Sequence, residues 1–279
     1  MALILDGRIV RDSIVEKLTK DIEKLGFKPT LAIIQVGDIK ESTAYINQKK
    51  IFAEKIGADV LHVTYPKDVS ESVLLSKIGE LNKDKNVHGI IVQIPLPKQL
   101  DKDKIINVIA PHKDVDGLTA YNVKKLWTER VGIIPATARG VLSLLEYYKI
   151  PVKARKIAVI GRSALVGKPI AMALLQKDAT VTMAHKLTKN LPEIACDSEI
   201  LIVAAGAPRL VKKEWTNKDQ VIIDVGITVE ELPSRKLVGD VDFENVKDHV
   251  KAVSPVPGGV GPMTVASLFQ NLVEATQNQ

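Results

Sequence analysis

The chain has a single cysteine, Cys196, among its 279 residues. That excludes an intrachain disulfide and fits a reducing compartment. Phe, Trp and Tyr together make up only 4% of the sequence, and no basic block is interleaved with them. The formal charge of +6 is spread along the chain. A dedicated nucleic-acid surface is therefore not expected, whereas anionic small molecules are suitable partners. No apolar run approaches the length of a membrane span. The opening stretch is cut off by Asp6, too early for a signal peptide, so the expected address is the cytoplasm. Five histidines show no metal-ligand spacing, and neither a P-loop nor a Gly-x-Ser-x-Gly elbow occurs. No metal is expected, and Cys196 reads as a packed helix residue rather than a nucleophile.

What is present is an alternation of helical and strand patterns. Ile9, Ile14, Leu18, Ile22 and Leu25 recur at helical spacing, and Gly26 stops the helix. A strand over 31–36 follows, then a helix from Ser42, a natural N-cap, to Gly57. Strands over 58–65 and 88–94 flank a helix over 70–81; a short helix over 105–109 and a longer one over 137–148 come next. Further strands are predicted near 156–160, 179–184, 199–203 and 221–225, and Pro262 opens a last helix to about Ala275. This pattern predicts an α/β fold of two lobes. One lobe spans 1–137 and is completed by the C-terminal helix over 262–279; a Rossmann-type lobe spans 138–261. Ligands are expected in the cleft between them, at the carboxyl ends of the strands.

The organising stretch is Lys156 to Pro169. A short apolar run ending in Ile160 suits a strand buried on both faces. Gly161 allows a sharp turn, and Gly167 lets the next helix, expected from near Leu165, pack close with its free N–H groups facing the turn. Gly161, Ser163 and Gly167 form a variant of the dinucleotide fingerprint, which is a weak signal alone. The following strand ends in His185 and Lys186, where an NAD-binding unit carries an acid for the ribose hydroxyls. A basic corner, with Arg162 in the turn, suits a 2′-phosphate. NADP is read rather than NAD.

Five further residues stand out. Tyr45 and Lys49 are four apart on one helix, and Tyr45, Phe52, Ala53 and Ile56 fall within one apolar arc from which Lys49 projects. Burying an ammonium is costly unless it is paired or its pKa falls; the plain alternative is a snorkelling lysine at a helix edge. Gln93 lies near the carboxyl end of an apolar strand, where a buried amide needs partners. Asp114 and Asp116 precede Gly117 in a loop, the common setting of turn-making aspartates. The run from Pro255 to Pro262 is too rich in Gly and Pro for a regular element, and its glycines would let a flat ligand approach the backbone.

Together these segments resemble the bifunctional methylenetetrahydrofolate dehydrogenase/cyclohydrolase family (the FolD type). The resemblance rests on Ser42, Tyr45 and Lys49, on 89–97, 113–117, 161–169 and 221–226, and on 255–266, in this order over nearly the whole chain. It implies a catalytic lobe binding tetrahydrofolate derivatives, an NADP lobe and a homodimer. Lys49 would be the catalytic lysine and Gln93 its hydrogen-bond partner. Tyr45 would pack on the folate and Asp116 would hold the pterin N–H groups. Pro257, Gly258, Gly259, Val260 and Gly261 would line the substrate. Gly161, Arg162, Ser163, Val166, Gly167, His185, Lys186, Ala205, Gly206, Gly226 and Ile227 would contact NADP. The implied chemistry removes a hydride from the one-carbon bridge and then adds water to the methenyl carbon. A lysine beside that developing cation would hold a lowered pKa and act as base.

Two departures from the family pattern occur. The usual Pro-Cys-Thr-Pro-x-Gly segment appears as Pro135, Ala136, Thr137, Ala138, Arg139 and Gly140, so no role of that cysteine is required, and a looser helix start is expected without the second proline. Lys186 stands where some relatives carry Ser, which keeps attraction to a 2′-phosphate. Three other functions share parts of this pattern. Short-chain dehydrogenases also use Tyr-x-x-x-Lys, but after the nucleotide turn; here the pair precedes it by over 100 residues. A monofunctional dehydrogenase is hardly separated by the motifs. A nucleotide-sensing module would leave Lys49, Gln93 and Asp116 without purpose.

Overall fold

The computed structural model describes residues 2–128, 132–231 and 236–277. In chain order the first elements are β1 (Leu3–Ile4), α1 (Gly7–Leu25), β2 (Thr30–Val36), α2 (Lys40–Ile56), β3 (Asp59–Tyr65), α3 (Glu71–Lys83) and β4 (Gly89–Val92). Three helices follow, α4 (Lys102–Asn107), α5 (Ala120–Thr128) and α6 (Ala136–Tyr147). The chain then alternates through β5 (Lys156–Ile160), α7 (Gly167–Leu175), β6 (Thr180–Ala184), α8 (Leu191–Cys196), β7 (Ile200–Val203) and β8 (Val221–Asp224). It ends with β9 (Thr228–Glu230), β10 (Lys236–Val238), α9 (Phe243–Val246), β11 (Ala252–Val253) and α10 (Val260–Gln277).

Two compact units result, Met1–Asp12 with Thr137–Thr264, and Ser13–Ala136 with Val265–Gln279. The second unit carries a parallel sheet in the order β3-β2-β4. Its middle strand β2 is buried along six of seven positions, as expected of a strand covered on both faces. Leu74, Ile78 and Leu81 of α3 recur at helical spacing and join Ala32, Ile34, Ile90 and Ile105 in one apolar cluster. On α10, Phe269 stacks on Phe52 of α2 at 5.2 Å between ring centroids.

The other unit carries a parallel sheet in the order β1-β11-β8-β7-β5-β6 and a small antiparallel hairpin of β9 and β10. Its core gathers Ala158, Ile160, Leu201, Val203, Ile222 and Val253. The first described residues pair into this sheet. Leu3 and Ile4 pair with Ala252 and Val253, and the Tyr148 hydroxyl brackets Asp6, accepting from its N–H and donating to its carbonyl. A two-residue strand whose partner lies some 250 residues away leaves no local signature.

In both parallel sheets the strand order reverses, beside β2 in one and beside β5 in the other. From β2 the chain adds β3 on one side and β4 on the other; from β5 it adds β6 and then β7. The carboxyl ends of β2 and β4, and of β5 and β7, are therefore topological switch points, where open α/β sheets hold ligands. Helix starts differ from the sequence reading in several places: α4 begins at Lys102 rather than at 105, and α10 at Val260 rather than at Pro262. α2 begins at Lys40 with Ile39 at the N-cap, leaving Ser42 inside the helix and buried. α7 begins at Gly167, two residues later than Leu165.

Candidate active site

At the first switch point Gln93 directly follows β4, and its N–H donates to the Ile34 carbonyl of β2 at 2.8 Å. This bond extends the sheet by one residue and aims the side chain beyond it. Lys49, from α2, donates its ammonium to Gln93 Oε1 at 2.8 Å, while Gln93 Nε2 donates to the Ile94 carbonyl at 2.9 Å. The amide is thus oriented, with its acceptor toward the lysine. Burial holds the Lys49 ammonium below the usual lysine range, and the nearby Asp116 charge partly opposes that shift.

The loop over 113–117 is held from three sides. The Ile90 N–H donates to the Lys113 carbonyl at 2.7 Å. The buried Lys113 ammonium donates to the Leu81 and Asp84 carbonyls at the end of α3, a favourable place for a cation. Asn271 Nδ2 of α10 donates to the Val115 carbonyl at 2.8 Å. Within this loop the two aspartates have separate tasks. Asp114 accepts from the N–H groups of Leu118 and Thr119 and from Asn122 Nδ2, and so performs the turn-making role. Asp116 is pushed up to about 6 by loss of hydration, with Lys49 pulling it down and Asp114 pushing it up. Lys49, Gln93 and Asp116 are therefore brought together electrically.

Tyr45 differs from the rest of its predicted arc. Phe52, Ala53 and Ile56 are buried, but Tyr45 is 46% exposed and Ile46 takes the interior position beside it. The phenol stands one helical turn from Lys49 as an open aromatic face. The segment over 135–140 also departs from expectation: α6 starts at Ala136 without the second proline, and Ala136 and Ala138 are both buried. A Cβ on Gly140 would stand 3.0 Å from Met263 Cβ.

In the nucleotide-type unit, Gly161 has φ +123°, and a Cβ there would stand 2.0 Å from the Ala204 carbonyl oxygen. A Cβ on Gly167 would stand 2.1 Å from the Gly161 carbonyl oxygen. Both glycines are obligatory for this close turn. The Ser163 hydroxyl accepts from the Gly167 N–H at 3.3 Å, and Val166 precedes the helix as its N-cap. Arg162 and Lys186 are exposed, and His185 is half-buried. His185 Nδ1 accepts from the Leu187 N–H at 3.2 Å.

Residues 257–261 belong to this same unit. Pro257 is exposed, while Gly258, Gly259 and Val260 are buried and Gly261 is half-buried. Gly258, at φ +115°, accepts from the Gly7 N–H at 2.8 Å, and a Cβ on Gly7 would stand 1.9 Å from the Gly259 carbonyl oxygen. The N-terminal segment thus fixes this loop. Ile227 Cδ1 lies 3.7 Å from the Cβ position of Gly261. Ala205 and Gly206 follow β7 and donate their N–H groups to Asp240, and Gly226 follows β8 and donates its own to Asp224; Asp240 is a residue that sequence reasoning missed. An aspartate ending the apolar run of β8 was the one available signal of a buried acid there.

Residues 5–116 match the tetrahydrofolate dehydrogenase/cyclohydrolase catalytic domain, and residues 135–279 match the NAD(P)-binding domain of the same family. The chain belongs to the tetrahydrofolate dehydrogenase/cyclohydrolase family. A relative named bifunctional protein FolD from Lactobacillus gasseri is 43% identical, covering 100% of this chain and 99% of its own. One of the same name from Listeria innocua is 41% identical over 99% and 98%. The bifunctional FolD enzyme of Campylobacter jejuni superposes with a TM-score of 0.96 at 38% identity, over 100% and 99% of the two chains. The Trypanosoma brucei FolD complexed with NADP cofactor and inhibitor does so with a TM-score of 0.94 at 35% identity, over 99% and 98%. Within this family the two units carry the catalytic and the NAD(P)-binding parts.

Proposed function

We propose that the protein oxidises 5,10-methylene-tetrahydrofolate to the 5,10-methenyl form with NADP+ and hydrolyses that product to 10-formyl-tetrahydrofolate. The observation that carries the reading is the Lys49 amine, kept from full hydration and held on Gln93 beside Asp116. A neutral amine is more accessible here than on an ordinary lysine, and Gln93 directs it without adding charge.

The chain's residues fit the dinucleotide. The glycine turn after β5 admits no Cβ, the N-terminus of α7 faces it, and Arg162 and Lys186 put positive charge where no acid stands. When bound, NADP+ supplies the hydride acceptor. Arg162 and Lys186 would neutralise the 2′-phosphate, and the α7 N-terminus would receive the diphosphate.

On the folate side Tyr45 offers its exposed face for stacking on the pterin, and Asp116 accepts from the pterin N–H groups. Loss of a hydride from the one-carbon bridge leaves a cationic methenyl carbon. Lys49 as neutral amine takes a proton from water as its oxygen bonds to that carbon. The carbinol hydroxyl then gives up its proton as the C=O forms and the C–N5 bond breaks, N5 takes that proton, the formyl group stays on N10, and Lys49 returns its proton to solvent. The family resemblance adds a homodimer to this reading, and the single cysteine favours a cytoplasmic address; sedimentation equilibrium at twice the chain mass checks the dimer.

Following NADPH and methenyl-tetrahydrofolate absorbance in one cuvette tests the proposal. NADPH should rise while the methenyl signal passes through a maximum and decays faster than in buffer. A lasting methenyl signal would mean dehydrogenase alone, and silence at both wavelengths would favour a sensor.

A further inference from the structure

Two buried carboxylates with no task in the reaction lie together at the carboxyl end of the six-stranded sheet. Asp224 ends β8 and Asp240 follows β10; their exposures are 2% and 0%. Asp240 accepts from three consecutive backbone N–H groups, those of Ala205 at 2.6 Å, Gly206 at 2.8 Å and Ala207 at 2.8 Å. Asp224 in turn accepts from the N–H groups of Gly226 at 3.0 Å, Asp240 at 3.1 Å and Val241 at 2.9 Å. Three loops are joined by these six bonds.

The fit leaves no spare room. A Cβ on Gly226 would stand 2.1 Å from Asp240 Cγ, and one on Gly239 would stand 1.9 Å from Asp224 Oδ2. Glycine at both positions is what lets the two carboxylates reach the amides. The Asp240 backbone is fixed as well, because its carbonyl accepts from the Val211 N–H at 3.0 Å.

Consecutive amides converging on one anion are what a nucleotide-binding loop usually offers to phosphate. After β7 that nest is already filled by the protein's own carboxylate. The loop can therefore present only the outer faces of Ala205 and Gly206, both exposed, and has no N–H group left there for a phosphate. The diphosphate is left to the turn between Gly161 and Gly167 at the neighbouring strand.

We infer that Asp240, supported by Asp224, is a positioning residue for the dinucleotide: it locks residues 205–207 in shape and reserves that loop for an uncharged part of the cofactor. The inference rests on the proposed NADP role of this loop. Removing the charge should release the loop without touching Lys49, Gln93 or Asp116, which belong to the chain's other unit.

The full-length protein provides the test. In the wild type without cofactor, hydrogen exchange at the amides of 205–207 should be slow despite the exposure of the loop. In Asp240→Asn one carboxylate oxygen becomes an N–H donor facing these amides. Exchange there should accelerate, and NADP affinity by calorimetric titration should fall at least ten-fold. Hydrolysis of added methenyl-tetrahydrofolate, which needs no dinucleotide, should fall far less. Equal loss of both properties, or unchanged NADP affinity, would overturn the inference. Should Asp240→Asn not fold, the wild-type exchange rates decide: free-loop rates at 205–207 would overturn it and slow rates would uphold it. A wild type that fails to bind NADP at all would instead remove the functional reading, and the exchange measurement would still judge the amide nest.

Discussion

The Lys49 ammonium donates to the Gln93 side-chain carbonyl at 2.8 Å, in surroundings that hold its proton less tightly than water would. If the neutral amine is the base, the cyclohydrolase rate rises with pH as Lys49 loses its proton. Gln93→Glu places a negative charge on the same atom's partner and favours the ammonium. The rising limb of the pH–rate profile should therefore move to higher pH in that variant. Lys49→Met should lower the hydrolysis rate at least ~100-fold, within the range typical of general acid–base groups. A limb that stays in place in Gln93→Glu would remove Lys49 from the proton transfer.

Asp116 leads to a prediction about binding. Burial pushes its carboxyl up to about 6, so the acceptor form declines as pH falls through that value. The KM for the folate substrate should rise below about pH 6 in the wild type. Asp116→Ala should weaken folate binding by about 2–4 kcal/mol at neutral pH, the cost of leaving buried donors unpaired. Asp116→Asn should flatten the pH dependence of KM. A wild-type KM that is constant between pH 5 and pH 8 would contradict the assignment.

Asp224 predicts a stability profile. Burial, with Asp240 adding to it, pushes the Asp224 carboxyl up to about 7 against the opposing pull of three backbone N–H groups. An unfolded aspartate ionises near 3.9. Between those values the native state holds a proton that the unfolded chain has released, so this group makes stability fall as pH rises from about 4 to about 7 and adds no further slope above. Asp224→Asn should reduce that fall, as measured by urea midpoints across the interval. An identical pH slope in wild type and variant would show that Asp224 does not carry it.

How far the sequence foretold this molecule follows from the range of the interactions involved. Strands β2, β5, β7 and β8 announce themselves because both their faces are buried and the apolar run is continuous. The helices α1, α3 and α10 show a regular stripe. By contrast α5 escaped notice because Asn122 and Leu126 alone are its buried positions. Ser42 has the composition of a cap, yet Ile39 takes that place because the chain leaves β2 early enough to begin α2 at Lys40. Lys49 and Gln93 were legible as polar residues in apolar settings. Asp240 was not, since its three amides come from a loop 33 to 35 residues away and only the folded sheet brings them to it.

The last prediction concerns the choice of dinucleotide. Arg162 follows the glycine turn and Lys186 follows β6, both exposed, and neither position carries an acid. A 2′-phosphate there gains one or two charge-assisted bonds, each worth about 1.5–3 kcal/mol. Lys186→Asp removes one such partner and introduces repulsion, while offering an acceptor to the ribose hydroxyls of NAD. The ratio of kcat/KM for NADP over NAD should fall by roughly 10- to 100-fold, a change of about 1.4–2.8 kcal/mol. Because both cations are solvent-exposed, screening should also be visible: the wild-type KM for NADP should rise with ionic strength as the Debye length shrinks below about 10 Å. In Lys186→Asp that salt dependence should weaken, and the KM for NAD should change little with salt in either protein. A ratio unaffected by the substitution would place the 2′-phosphate away from this corner, and the preference for NADP would then have to arise at Arg162 alone.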